Sequence, residues 1–136
     1  MTTTSRLQGR TILIVDDDPD IRSSIDLAMR AEGALTHPVA DGNSAVTYCH
    51  TDPPDAVVLD MMLPNRSGFL VLEKLKEDPD PPVVVMVTAN EGKRHMAYAQ
   101  SLGVDAYLNK PVPLRRLVET VVQLLEQRDS EVGAEQ

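Results

Sequence analysis

Apolar residues gather into five short runs, and the stretches between them carry helical spacing. Thr11–Val15 (TILIV) is β-branched and lacks polar alternation, as expected of a strand buried on both faces. Asp18-Pro19 follows, an N-cap acceptor ahead of a proline suited to the first helical position. Ile21, Ile25 and Ala28 then share one helical face, and Gly33 stops it. Ala34–Ala40 is a weaker strand, which Pro38 places toward a sheet edge. Asp41-Gly42-Asn43 opens a short helix to about Cys49, broken by Thr51-Asp52-Pro53-Pro54. Ala56–Leu59 (AVVL) is a further buried strand. Ser67 caps a helix carrying Leu72 and Leu75, and Glu77–Pro82 (EDPDPP) is a stiff loop. Val83–Val87 (VVVMV) is the strongest strand signal. A helix from about Glu91 to Leu102 ends at Gly103, and Asp105–Leu108 is a short last strand. Leu114, Leu117, Val118, Val121 and Leu125 form the apolar face of a final helix. Residues 1–10 and 128–136 read as loose polar tails around a domain at 11–127.

Five strands alternating with five helices predict an α/β fold with a parallel sheet covered on both faces. The length, 136 residues, suits one domain. Aromatics are only 3% and the net charge is −8, which argues against base stacking and against a broad phosphate-binding face. Direct nucleic-acid binding is therefore not expected. Cys49 is the single cysteine, which fits a reducing compartment. No apolar run approaches the ~20 residues of a membrane span, and the N-terminus lacks the apolar core of a signal peptide. The expectation is a cytoplasmic protein without membrane contact.

Ligands of open α/β sheets bind outside the carboxyl ends of the strands. Past those ends stand Asp16-Asp17-Asp18, Asp60, Thr88-Ala89 and Lys110-Pro111. One carboxylate, Asp18, suffices as a cap. Asp16 and Asp17 beside Asp60 would repel, and a cation relieves that; oxygen ligands favour Mg²⁺, Mn²⁺ or Ca²⁺ over zinc. Solvated loop carboxylates are the plain alternative. Asp60, at the tip of a buried strand, suits a metal ligand or a nucleophile that forms an acyl phosphate. Thr88 and Lys110 suit phosphoryl oxygens, one by hydroxyl and one by charge, or else a helix cap and a surface lysine.

Four motifs in order close the comparison: Ile12-Leu13-Ile14-Val15-Asp16-Asp17-Asp18-Pro19; Val58-Leu59-Asp60-Met61-Met62-Leu63-Pro64 with Gly68; Val87-Thr88-Ala89; and Tyr107-Leu108-Asn109-Lys110-Pro111. With them the chain closely resembles the receiver domain of two-component response regulators, over about Thr11 to Gln127. The resemblance implies a flavodoxin-like fold with sheet order 2-1-3-4-5. It implies Asp60 as phospho-acceptor. Asp17 would ligate Mg²⁺ (Mn²⁺ as an alternative) directly, Asp16 partly through water, and Met62 through its backbone carbonyl. Thr88, with Ala89 beside it, and Lys110 would contact the phosphoryl group. Tyr107 would be the aromatic switch, and the bond before Pro111 would be cis.

The chain departs from the family pattern at Arg66 and Ser67, where an apolar residue and an acid are common. Val112 replaces a common Phe, and Ala106 an acid favoured for one dimer mode. Met62 and Asn90 stand where the phosphoryl lifetime is modulated, and neither favours fast self-hydrolysis.

The implied function is phosphoryl acceptance from a phosphohistidine on a sensor histidine kinase or histidine phosphotransfer protein, with at most weak autophosphatase activity. The face of helix four, strand five and helix five would then switch toward a downstream protein target, or toward a C-terminal output domain if the chain is a fragment. Lys93, Arg94, His95, Arg115 and Arg116 belong to that face. His37, His50 and His95 have no metal spacing. Two alternatives stand beside this: a phosphorylation-independent interaction module, and, more remotely, a haloacid-dehalogenase-type phosphatase suggested by Asp16-Asp17-Asp18.

Overall fold

The computed structural model describes residues 5–89 and 92–134. Its elements run β1 (Thr11–Val15), α1 (Pro19–Ala31), β2 (Leu35–Val39), α2 (Gly42–Thr51), β3 (Ala56–Leu59), α3 (Gly68–Lys76), β4 (Val83–Thr88), α4 (Lys93–Ser101), β5 (Ala106–Asn109) and α5 (Leu114–Ala134). The strands form one parallel sheet in the order β2-β1-β3-β4-β5, the flavodoxin-like arrangement. The strand carrying Pro38 is an edge strand, where a missing N–H costs least.

Strand residues alternate between two faces, so a sheet covered on both sides must be apolar at every position. On one face Ile12, Ile14, Val58 and Val85 pack with Ile25 and Met29 of α1 and Leu117, Val121 and Leu125 of α5. On the other Leu13, Val57, Val84 and Met86 pack with Ala45 and Cys49 of α2, Leu72 and Leu75 of α3 and Ala99 of α4. Burying each of the Val, Leu, Ile and Met side chains among them contributes about 1.5–3 kcal/mol.

The caps follow the sequence. Asp18 accepts from the Asp20 and Ile21 amides, and Pro19 takes the first position of α1. Asp41 and Ser67 cap α2 and α3. Gly33 and Gly103 hold φ of +92° and +94° just past α1 and α4, a backbone that favours glycine.

Three expectations need correction. The N-terminal segment is not loose throughout. Leu7 is 1% exposed, its amide donates to the Glu32 carbonyl at 2.8 Å, and Arg6 pairs with Glu119. The C-terminal residues are not a loose tail either. The last helix runs on to Ala134, because Arg128 binds Asp80 at 2.8 Å and the Asp55 carbonyl at 3.3 Å, while Arg10 pairs with Asp129. Leu114 is 39% exposed rather than buried: it is the first residue of α5 and borders an open groove with Ile21, Pro111 and Val112. Glu91, the expected start of the fourth helix, and Asn90 lie outside the described residues. No helix among the described residues is long and apolar enough to cross a membrane.

Candidate functional site

Pairing of Val15 with Leu59 sets the ends of β1 and β3 side by side, and with them Asp16 and Asp60. Asp16 is buried and held at four points. Its amide donates to the Val39 carbonyl at 3.2 Å, and its carbonyl accepts from Arg22 Nη1 at 2.9 Å. Its Oδ1 accepts from the Asp18 amide and its Oδ2 from Lys110 Nζ, both at 2.9 Å. Asp60 is also buried. Its amide donates to the Val15 carbonyl at 3.0 Å, its Oδ1 accepts from the Met62 amide at 3.2 Å, and its Oδ2 accepts from Lys110 Nζ at 3.3 Å. Asp17 is exposed. Carboxylate oxygens of Asp16, Asp17 and Asp60 lie within 4.8 Å of one another.

Thr88 ends β4 fully buried, and its carbonyl accepts from the Lys110 amide at 2.8 Å. That bond ties the lysine loop to the end of β4. Ala89 is exposed, Tyr107 is half-buried against the α4 side of the sheet, and the Lys110–Pro111 peptide is cis. Met62 has its side chain in solvent, and its amide is the group set against Asp60.

Burial raises the Asp60 carboxyl above the ordinary carboxylate range, and the nearby Asp16 charge raises it further; the Lys110 charge and hydrogen bonds pull back without cancelling this. For Lys110, burial opposes the charged form, yet the Asp16 and Asp60 carboxylates outweigh it and raise its pKa. Burial also raises the Tyr107 hydroxyl. Three carboxylates facing one ammonium leave a net negative, oxygen-only pocket. That donor set suits a hard divalent cation such as Mg²⁺ or Mn²⁺.

The remaining residues named from the sequence fall elsewhere. Asp18 is spent as a helix cap. Lys93, Arg94, Arg115 and Arg116 are exposed on α4 and α5, and His95 is half-buried with its ring stacked on Phe69 at 5.9 Å. His37 stacks on Tyr48 at 4.0 Å, a contact that gives both a packing role. Cys49 is a core residue whose thiol burial pushes up to about 12.

The sequence reading missed Arg22, and it named Gly42 and Gly68 without the close backbone approach each one permits. Arg22 reaches back from α1 to the Asp16 carbonyl. A Cβ on Gly68 would overlap the Asp60 carbonyl, and one on Gly42 would overlap the Arg66 carbonyl. A signal for both glycines is present: each follows a capping residue at the first position of its helix, where backbone can approach backbone.

A family model for the response regulator receiver domain matches residues 12–122. The chain is 37% identical over 119 residues to the probable transcriptional regulatory protein TcrX of Mycobacterium tuberculosis, a match covering 87% of this chain and 50% of TcrX. It thus spans about half the length of that curated relative. A CheY-like response regulator receiver domain protein from Methanospirillum hungatei JF-1 superposes with a TM-score of 0.85 at 28% identity, covering 90% of this chain and 98% of that one. NtrX from Brucella abortus, solved in complex with ATP, superposes with a TM-score of 0.85 at 25% identity, covering 94% of this chain and 29% of NtrX. The signal receiver domain of a LuxO repressor protein from Vibrio parahaemolyticus shares the fold, with a TM-score of 0.86 at 24% identity over 93% of this chain and 98% of that one. With the acidic pocket, the order of the strands and the matched family model in agreement, the chain belongs to the response regulator receiver domains of two-component systems.

Proposed function

We propose that the chain accepts one phosphoryl group on Asp60 from a phosphohistidine, carried by a sensor histidine kinase or a histidine phosphotransfer protein. The observation that carries this reading is the sharing of Lys110 between Asp16 and Asp60, inside a cluster of three carboxylates at the strand ends. An Asp60 oxygen attacks phosphorus, the P–N bond breaks, and its electron pair leaves on the imidazole nitrogen. An acyl phosphate remains on Asp60. Lys110 leaves the Asp60 carboxylate and neutralises a phosphoryl oxygen. Asp16, Asp17, Asp60 and the Met62 carbonyl would hold Mg²⁺ or Mn²⁺, which supplies charge neutralisation for the transferred group.

Thr88 then hydrogen-bonds the phosphoryl group beside Ala89, and Tyr107 follows it inward. The inactive and active arrangements of α4, β5 and α5 exchange populations. That face engages a downstream protein, or an output domain in a longer chain of the TcrX kind. The chain acts as a signalling domain in the cytoplasm, with at most weak autophosphatase activity, and with no nucleic-acid contact of its own given its net charge of −8.

The test is incubation with phosphoramidate and Mg²⁺, followed by borohydride reduction, which converts an acyl phosphate on aspartate to homoserine. Homoserine at position 60 is the expected result. Homoserine at another aspartate, or none after a phosphohistidine donor is also supplied, overturns the reading.

A further inference from the structure

We propose that the N-terminus of α2 positions the β3–α3 loop of this site, with Asn43 and Arg66 as the positioning residues. The inference rests on the reading of Asp60 and the Met62 carbonyl given above. Met61 and Leu63 seat the first part of the loop in the core, whereas Met62 between them is 67% exposed and Pro64 and Asn65 beyond them are exposed. Its path includes Asn65 at φ +69°, a left-handed backbone that asparagine tolerates but that needs support.

The support comes from α2. The Gly42 amide donates to the Pro64 carbonyl at 3.3 Å, beside the Arg66 amide, which donates to the same oxygen at 2.8 Å. Arg66 Nε donates to Asn43 Oδ1 at 3.0 Å. The Ser44 amide and hydroxyl hold the neighbouring Asp41 carboxylate below its ordinary range. Gly42 permits this approach, since a Cβ there would overlap Arg66. On the far flank the Gly68 amide donates to the Met61 carbonyl at 2.8 Å. Between these anchors the Met62 amide donates to Asp60 Oδ1. The α2 contacts at Pro64 and Arg66 thus bear on the same short loop that carries Met62, with Leu63 packed between them.

A latch on a loop acts through the fraction of time the loop is competent, and apparent affinity falls in proportion to that fraction. Asn43→Ala and Arg66→Ala are each expected to weaken Mg²⁺ binding about three- to tenfold, the scale of one lost net hydrogen bond. The double variant is expected to be no weaker than either single one, and Asn43→Asp, which keeps the acceptor, to retain affinity. Isothermal titration with Mg²⁺ reads this. Amide hydrogen exchange of Gly42 and Met62 in metal-free protein is the second readout, expected to quicken in both single variants and not in Asn43→Asp. Circular dichroism confirms that each variant folds, with Arg66→Gln in reserve. Unchanged Mg²⁺ affinity and unchanged exchange in both single variants overturn the latch, while wild-type phosphorylation at Asp60 would leave the functional reading intact. If the wild type neither binds Mg²⁺ nor takes a phosphoryl group, the functional reading falls. Amide exchange then decides the loop-positioning role alone.

Discussion

Lys110→Met removes the one ammonium that joins two buried carboxylates while keeping most of the side-chain volume. In the folded protein Lys110 Nζ lies 2.9 Å from Asp16 and 3.3 Å from Asp60, whose residues are 2% and 6% exposed. At an effective dielectric constant of about 20, contacts at these separations are worth about 5–6 kcal/mol each before desolvation. Much of that is offset by burial of the lysine itself, the largest single influence on its pKa. Breaking a fully buried pair costs about 3–5 kcal/mol. The Lys110 side chain keeps 18% of its exposure, so about 2–3 kcal/mol is the expected loss at pH 7. Melting should fall by about 8–12 °C for a chain of this size. The pH dependence has a definite sign. Without the ammonium, the Asp60 carboxyl is pushed further above its unfolded value, so the folded variant holds a proton there that the unfolded chain releases. Its deficit against wild type should therefore shrink as pH falls from 7 toward the ordinary carboxyl range. Mg²⁺ at about a hundred times its dissociation constant should return about 2.7 kcal/mol. Thermal melts at several pH values, with and without Mg²⁺, decide it. A variant within about 2 °C of wild type at pH 7, or a deficit that grows on acidification, refutes the charge argument.

Gly68→Ala places a methyl group against the Asp60 carbonyl, so it should both destabilise the fold and slow phosphoryl acceptance, read by melting and by labelling rate. Leu7→Ala opens a cavity between the N-terminal segment and the core, and should cost about 2–5 kcal/mol in urea titration; a loose segment would cost nothing. Cys49, with its thiol pushed up to about 12, should react with a disulfide reagent at pH 8 about a thousandfold more slowly than a free thiol, and normally in denaturant.

What was legible in the chain was whatever one segment decides by itself. β-branched runs at Thr11–Val15 and Val83–Val87, and the caps Asp18, Asp41 and Ser67, each declare an element locally. The convergence of the strand-end residues was legible because α/β topology brings strand ends together, and the four motifs supplied the order. What stayed hidden needed a partner distant in sequence. Arg6, Arg10 and Arg128 look like solvated charges until Glu119, Asp129 and Asp80 are seen opposite, and so the two ends were read as tails. Leu114 fits the helical period of α5, but no element among the described residues covers the first residue of that helix, and periodicity cannot report that. Arg66 was visible as a departure from pattern, while its bond to Asn43 depends on how α2 lies against the loop.

The most direct measurement is intact-mass spectrometry of the wild type and Asp60→Asn after incubation with acetyl phosphate, each with Mg²⁺ and with chelator. A phosphohistidine donor is run in parallel. One added phosphoryl group on the wild type, dependent on Mg²⁺ and absent from Asp60→Asn, is the result this account predicts. A wild type that stays unmodified with both donors, or an Asp60→Asn chain that is modified equally, contradicts it.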